Sequence, residues 1–297
     1  MHVRAGEEIL QLALESGARS LFVVGTGKNV GKTVTMRAIY EAAVARGIAP
    51  GLTSIGRDGE AVDIGDAQAK PRLFLRSGTA VATAREVLPR SPASDIFELS
   101  RLQTAAGTLT YARVMQPAFY ELVGPPTASG IREAVGVLSR FTPFVIVDGA
   151  IDRIAALAGG DDAIVVSCGA AASPTMEDAI ADVRALVQRL SVPLYRGEEG
   201  VFVEGALTAP LAARFISERE SRSIIVRDPT QIVLTGKAAA TAFEKLRIRC
   251  QRALNVVAIT VASIGRDRAF EPRRFAKEVA SVTGLPTFDI YTSEKAA

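Results

Sequence analysis

One glycine-rich segment contains the residue types and spacing that phosphate binding requires. It reads Gly25-Thr26-Gly27-Lys28-Asn29-Val30-Gly31-Lys32-Thr33 and is followed by Val34. Glycines let backbone N–H groups turn towards anionic oxygens, and a helix that starts at the end of the segment adds further donors. Lys32 can reach the terminal phosphates of a nucleotide, and the Thr33 hydroxyl can bind Mg²⁺. Residues 25–34 are therefore predicted to bind a nucleotide with Mg²⁺, with Lys32 in a catalytic role and Thr33 as a metal ligand.

The glycine spacing departs from the usual eight-residue phosphate-loop pattern. That pattern places a glycine five residues before Gly31, where this sequence has Thr26, and the glycines stand at 25 and 27 instead. The alternative interpretation is a glycine-rich turn that happens to contain lysine and threonine. The hydrophobic strand predicted at 20–24, directly before the segment, favours phosphate binding.

Three aspartates are candidates for holding the metal or activating a nucleophile. Asp148 ends the apolar run 144–147, where an acid orients Mg²⁺ in phosphate-loop folds, although strand-end aspartates also start turns or cap helices. Asp58 lies at the end of a strand predicted from Gly51, which is expected to sit beside the phosphate loop, and is a second candidate for either role. Asp152 could position water or a substrate group, or cap a helix. We expect Asp58 and Asp148 as metal ligands and Asp58 and Asp152 as catalytic residues, and the sequence leaves open which of the last two is catalytic.

Three further sites allow a functional and a structural interpretation. Lys70-Pro71-Arg72 could bring positive charge near the γ-phosphate or an anionic substrate, or it could start an exposed edge strand. Cys168 follows an apolar run and is predicted to be a buried structural thiol. Lys237, in Thr235-Gly236-Lys237, lacks a phosphate-loop framework and is predicted to lie at the start of a helix.

The composition argues against several other functional classes. The 297 residues include one histidine, His2, and two cysteines, Cys168 and Cys250, so we expect neither a histidine-based site nor a disulfide framework. The net charge of +3 is scattered and lacks an aromatic platform, so nucleic-acid binding is not expected. No run of about 18 apolar residues occurs, and we expect a cytoplasmic protein without a membrane partner. The oligomeric state stays open, with a homodimer among the alternatives.

Alternating apolar runs and helical patterns predict an α/β fold, in which a mostly parallel sheet carries helices on both faces. The predicted strands are 21–24, 144–147, 163–167, 254–261 and 286–290, and the clearest helices are 31–46 and 174–190. We expect a nucleotide-binding domain over 1–222, with a β-rich elaboration at about 70–126. A strand–helix–strand–helix–strand segment follows and is predicted to form a C-terminal α/β lobe over 223–297.

A five-residue segment occurs twice in the chain. Ser54-Ile55-Gly56-Arg57-Asp58 is repeated at 263–267. The repetition is either a coincidence or the mark of two similar turns at strand ends. No repeat of 20–50 residues accompanies it, so a repeat architecture is not expected.

The loop Gly-Thr-x-x-x-Val-Gly-Lys-Thr resembles that of dethiobiotin synthetase and the cobyrinic acid amide synthases, over residues 20–46. Both belong to the branch of P-loop NTPases that includes signal-recognition and MinD-like proteins, so the resemblance implies a P-loop NTPase fold. Lys28 replaces the threonine typical of dethiobiotin synthetase. Gly27 stands where MinD-type proteins have their signature lysine, so a MinD-like dimer clamp is not expected. No Asn/Thr-Lys-x-Asp guanine motif occurs, and ATP is favoured over GTP.

A wider resemblance covers most of the chain. The segments 51–60, 70–72, 77–84, 148–153 and 228–230 look like a bacterial family described as the reactivase subunit of lysine 5,6-aminomutase. The resemblance implies a protein that uses nucleotide to help a cobalamin-dependent aminomutase replace damaged cofactor. None of the residues is a visible cobalamin ligand.

These observations leave three functional hypotheses. The first is a conformational ATPase that assists a cobalamin-dependent aminomutase. The second is a ligase of the dethiobiotin synthetase type, acting with ATP on a small carboxylate or amine. The third is a nucleotide-binding sensor without turnover, because phosphate binding alone does not align a water or an acceptor.

Overall fold

A nine-stranded sheet forms the centre of the molecule. The computed structural model describes residues 3–56, 72–149, 157 and 162–291. In spatial order the strands are β14 (Thr287–Asp289), β13 (Asn255–Ala262), β9 (Ala163–Gly169), β1 (Ser20–Gly25), β8 (Val145–Asp148), β2 (Gly51–Ser54), β4 (Ala80–Ala84), β6 (Gly107–Val114) and β5 (Ser94–Thr104). The first seven run parallel, and β6 and β5 add an antiparallel hairpin at one edge.

Helices cover both faces of this sheet. Helices α3 (Ala128–Leu138), α4 (Met176–Leu190) and α7 (Pro272–Thr283) pack on one face, and α1 (Val3–Glu15) and α2 (Lys32–Ala45) pack on the other. Because successive strand residues point to opposite faces, Phe22 joins the first core and Leu21 the second. The predicted α/β class, with a mostly parallel sheet between two helical layers, is confirmed.

The stretch 72–126 carries the β-rich elaboration expected there. Strands β3 (Leu73–Leu75) and β7 (Ala118–Tyr120) form a small antiparallel pair, and β5 and β6 form the long hairpin. A short 3₁₀ helix, Arg85–Val87, follows β4. Strand β4 itself lies in the main sheet and pairs in parallel with β2. The elaboration therefore extends the central sheet, and only β3 and β7 form a sheet of their own.

A second, three-stranded parallel sheet lies between α4 and β13 in the chain. Its elements are β10 (Gly200–Phe202), α5 (Ala209–Ser217), β11 (Ser223–Val226), the 3₁₀ helix Pro229–Gln231, α6 (Gly236–Lys245) and β12 (Ile248–Cys250). These elements enclose a separate hydrophobic core. The expected C-terminal lobe over 223–297 is therefore corrected: β13, α7 and β14 complete the main sheet, because the apolar strand β13 is paired with β9 along its length.

The strands on either side of β1 determine which loops lie next to the glycine-rich segment. Strand β8 lies between β1 and β2, which corrects the expectation that the strand from Gly51 sits beside the phosphate loop. Strands β2 and β13 are each the second neighbour of β1, on opposite sides. The repeated five-residue segment begins at Ser54, the last residue of β2, and at Ser263, directly after β13. Both copies thus begin where a parallel strand ends, at the carboxyl edge where ligands bind in such sheets.

Candidate nucleotide-phosphate site

The glycine-rich segment connects β1 to α2 by a loop with two left-handed residues. Asn29 has φ 59° and Gly31 has φ 87°, and helix α2 begins at the next residue, Lys32. The Thr26 N–H donates to the Ser167 carbonyl at 2.9 Å, so the loop starts as a continuation of the β1–β9 ladder. Val30 is fully buried and fixes the middle of the loop. The local fold is therefore the strand–loop–helix unit that the sequence predicted.

Neighbouring side chains press against the loop at two of its glycines. A Cβ atom on Gly27 would lie 2.8 Å from the Cβ of Ala172, and one on Gly31 would lie 2.2 Å from Cδ1 of Ile290. A side chain at either position would force a neighbouring atom to move, and at position 27 that atom is the Cβ of Ala172, which is fixed to the backbone. The loops after β9 and β14 thus pack against the glycine-rich segment at these two glycines.

The N-terminus of α2 offers backbone donors to an anion. Its N-cap is Gly31, which has no side chain that could accept a hydrogen bond from the first turn. The Thr35 N–H donates to the Gly31 carbonyl at 2.9 Å, and this bond is the first of the helix. The N–H groups of Lys32, Thr33 and Val34 precede it and have no partner within the helix. Together with the helix dipole, they favour a phosphate at this position.

The Lys32 side chain folds back across the loop. Its Nζ atom donates to the Gly27 carbonyl oxygen at 2.6 Å, and the side chain is half-buried. This bond holds the ammonium group over the loop and reduces the conformational entropy that phosphate binding would otherwise remove. The position agrees with the phosphate-binding role predicted for Lys32.

Asp148 ends β8 at the same edge of the sheet. The residue is in register with Val23 of β1 and Ser54 of β2, and its carbonyl accepts from the Ile55 N–H at 2.8 Å. Helix α2, which carries Thr33 in its first turn, contacts β8. A hydroxyl and a carboxylate are the oxygen donors that Mg²⁺ prefers, so these two side chains fit that ion.

The other two predicted acids cannot be placed. Asp58 and Asp152 both lie outside the described residues, as do Lys70 and Pro71. Within the described ranges, no group of three or more His, Cys, Asp or Glu side chains is arranged to hold a metal ion. The catalytic roles of Asp58 and Asp152 stay predictions.

A buried cluster of hydroxyls supports the first turn of α2. The Thr260 hydroxyl, on β13, lies 2.9 Å from that of Thr35 and 2.8 Å from that of Ser167, on β9. All three side chains are fully buried. Hydrogen bonds between the hydroxyls satisfy groups that would otherwise be costly to bury, and they tie α2 to the two strands on one side of β1. Sequence patterns do not reveal this cluster, because its members are distant in the chain.

A cleft of about 380 Å³ opens along the outer side of the loop and α2. Its lining residues are Asn29, Gly31, Lys32, Thr33, Val34, Arg37, Arg72, Leu73 and Tyr291. Five of these belong to the predicted phosphate-binding segment. Arg37 and Tyr291 were missed, although Arg37 stands four residues after Thr33 and so shares its helix face. Tyr291 directly follows the predicted strand 286–290, at the carboxyl edge of the sheet, and this position in the sequence could have identified it as a candidate.

The remaining loop residues lie around the cleft. Gly25 and Val30 are buried, Thr26 and Gly27 are half-buried, and Lys28 is exposed. They shape the loop, or flank it, without lining the cleft.

The two structural predictions for Cys168 and Lys237 are confirmed. Cys168 is fully buried in β9, and burial raises the pKa of its thiol far above the usual range, so the reactive thiolate is suppressed. Lys237 lies exposed in the first turn of α6, in the small second sheet.

Comparison with known proteins identified no relative of this chain. The chain matches no protein-family model, no curated protein and no solved structure. In the described part of the chain, every helix is too short or too polar to cross a membrane.

Proposed function

We propose that the chain is a Mg²⁺-dependent ATPase of the P-loop type, which binds the nucleotide phosphates at residues 25–33. The supporting observation is the combination of an N-terminus of α2 without a side-chain cap and the Lys32 ammonium group held over the loop by the Gly27 carbonyl. These features put backbone donors and a positive charge at one point, as a polyphosphate requires.

Each residue of the site would have a separate role in binding the nucleotide and Mg²⁺. The N–H groups of Lys32, Thr33 and Val34 would bind phosphate oxygens at the start of α2. The Lys32 ammonium group would neutralise charge on the β- and γ-phosphates. Thr33 and Asp148 would hold Mg²⁺, which supplies further charge neutralisation when bound. ATP is preferred to GTP in this proposal because the guanine motif is absent from the sequence.

The proposed cellular role is to assist a cobalamin-dependent aminomutase. Its support is the resemblance of the sequence segments to the reactivase family. In this role, the loops at the carboxyl edge would adopt one conformation with ATP bound and another after hydrolysis. The aminomutase would bind these two conformations with different affinity. Slow hydrolysis by the chain alone, accelerated by the partner, is the expected behaviour.

The experiment measures hydrolysis of ATP and GTP with and without Mg²⁺, in the presence and absence of a cobalamin-dependent aminomutase. The variants are Lys32→Ala and Lys237→Ala, a matched control because Lys237 also follows a glycine at a helix start but has no phosphate loop. We expect ATP turnover that requires Mg²⁺, rises with the aminomutase and is lost only in Lys32→Ala. Equal turnover in Lys32→Ala and the wild type would refute the site. Turnover indifferent to the aminomutase would refute the role.

A further inference from the structure

Two arginines line the cleft outside the phosphate loop. Arg37 belongs to α2, and Arg72 stands immediately before β3, so two arginines from distant parts of the chain line the same cleft. Both residues are exposed. Within the described residues, neither side chain forms an ion pair or a hydrogen bond. Glu41, one turn beyond Arg37 on α2, does not pair with it.

Other exposed arginines of this protein do find carboxylates. Arg140 binds Glu98 through two hydrogen bonds of 2.7 and 2.8 Å, and Arg222 binds Glu220 at 2.7 Å. Among the described residues that line the cleft, by contrast, there is no carboxylate, whereas Lys32 and both arginines are cationic. An oxyanion bound in the cleft would supply the negative charge that this described lining lacks.

Arg37 lies further along α2 than the backbone groups that are proposed to bind phosphate. It lies four residues beyond Thr33 along α2, which corresponds to a rise of about 6 Å. Backbone N–H groups at that height are bonded within the helix, so the side chains alone supply positive charge there. A phosphate bound at the start of α2 would therefore leave the two guanidinium groups available to a different anion.

We propose that Arg37 and Arg72 bind the oxyanion of a second, small ligand, a carboxylate or a phosphate, which occupies the cleft at the same time as the nucleotide. The planar guanidinium group forms paired hydrogen bonds with both kinds of oxyanion. The whole cleft, including the side formed by residues 29–34, has a volume of about 380 Å³, at the lower end of the range of small-molecule sites. The inference rests on the proposed function, because the second ligand would occupy the part of the cleft that the nucleotide phosphates leave open.

The test is calorimetric titration of inorganic phosphate and, separately, of glutarate into protein saturated with Mg²⁺-ADP. The proteins are the wild type, the Arg37→Ala/Arg72→Ala double variant and a charge-matched control, Arg184→Ala/Arg252→Ala, whose arginines are exposed outside the cleft. We expect at least one anion to bind to the wild type and the control. In the cleft variant its affinity should decrease by about tenfold or more, while the affinity for Mg²⁺-ADP stays within about threefold. The anion that binds distinguishes a phosphate from a carboxylate ligand.

Three results would overturn the inference. One is that neither anion binds to the wild type. Another is equal anion binding by all three proteins. The third is that the cleft variant loses affinity for Mg²⁺-ADP as severely as Lys32→Ala, which would assign the arginines to the nucleotide itself. If Mg²⁺-ADP does not bind to the wild type, the proposed function fails on its own. The same titrations without nucleotide then decide whether the arginines bind an anion.

Discussion

The side chain of Ile290 stands where a Cβ atom of Gly31 would lie, with Cδ1 only 2.2 Å from that position. The residue after the last strand thus packs directly under the N-cap of α2. This contact joins the C-terminal part of the main sheet to the candidate site. Position 31 favours glycine because of its φ of 87°, and a larger residue there would also have to displace the Ile290 side chain.

Substituting Gly31→Ala should therefore destabilise the protein and distort the loop. The left-handed conformation alone costs a non-glycine residue about 1–2 kcal/mol, and the clash with Ile290 adds to it. We expect a larger loss in the free energy of unfolding than from Gly47→Ala. Gly47 has a similar φ of 74°, but no neighbouring atom lies within 4 Å of the position that its Cβ would take. Urea denaturation of both variants measures the difference, and equal losses would show that the contact does not matter.

The hydroxyl cluster beneath α2 predicts which of two threonine substitutions destabilises the protein more. Thr260→Val removes the two shorter contacts, of 2.9 and 2.8 Å, and leaves Thr35 and Ser167 with their mutual contact of 3.5 Å, whereas Thr35→Val leaves the 2.8 Å Thr260–Ser167 bond intact. Because an unsatisfied buried hydroxyl costs about 1–3 kcal/mol, Thr260→Val should be the more destabilising change. The free energies of unfolding of both variants and of Thr287→Val, whose hydroxyl donates to the nearby Leu285 carbonyl, test this. The reverse order would contradict the cluster geometry.

The metal role proposed for Asp148 predicts a lower affinity for Mg²⁺ when its charge is removed. Asp148→Asn keeps the side-chain shape and removes the negative charge, so affinity for Mg²⁺ should fall while the chain stays folded. We expect ATP turnover to decrease by about 10- to 100-fold and to recover partly at high Mg²⁺. Turnover measured as a function of Mg²⁺ concentration checks this. An unchanged Mg²⁺ dependence would assign Asp148 to a structural role.

Two buried weak acids predict a loss of stability at high pH. Burial raises the pKa of the Cys250 thiol to about 11 and that of the Tyr111 phenol to about 12. Both groups are neutral when protonated, so the unfolded chain releases these protons at lower pH than the folded chain does. Above about pH 9 the unfolded chain binds fewer protons, and stability decreases as the pH rises towards 12.

Urea denaturation between pH 7.5 and 10.5 measures this effect. The free energy of unfolding of the wild type should decrease across the upper half of the range. Cys250→Ala should show a shallower decrease, because it removes one of the groups whose pKa is raised. A stability that stays constant or increases to pH 10.5 would be inconsistent with buried, protonated side chains.

Local sequence signals predicted the elements that carry the candidate site. The apolar runs around 21–24, 144–147 and 163–167 became three adjacent parallel strands, and the segment 25–34 became the loop and first turn between β1 and α2. Such signals suffice because a buried parallel strand is continuously apolar and a loop of this kind requires glycine at fixed positions.

The parts that were not predicted depend on pairing between distant residues. Strand β5 alternates between half-buried and exposed positions at the sheet edge and has two register shifts, so its sequence lacks an apolar run. The order of strands around β1 and the return of β13 to the main sheet are set by long-range contacts. Arg37 and Arg72 line one cleft because the chain before β3 returns to α2. Neither spacing nor composition reveals this relationship between distant residues.

The most direct test of the central claim is equilibrium binding of a fluorescent ATP analogue in the presence of Mg²⁺. Wild type, Lys32→Ala and the matched control Lys237→Ala are compared after circular dichroism has shown that all three are folded. The proposed site predicts that the wild type and Lys237→Ala bind equally and that Lys32→Ala binds about tenfold or more weakly, because it loses a charge-assisted contact to phosphate. Equal affinity of all three proteins, or no binding to the folded wild type, would contradict a phosphate-binding role for the loop.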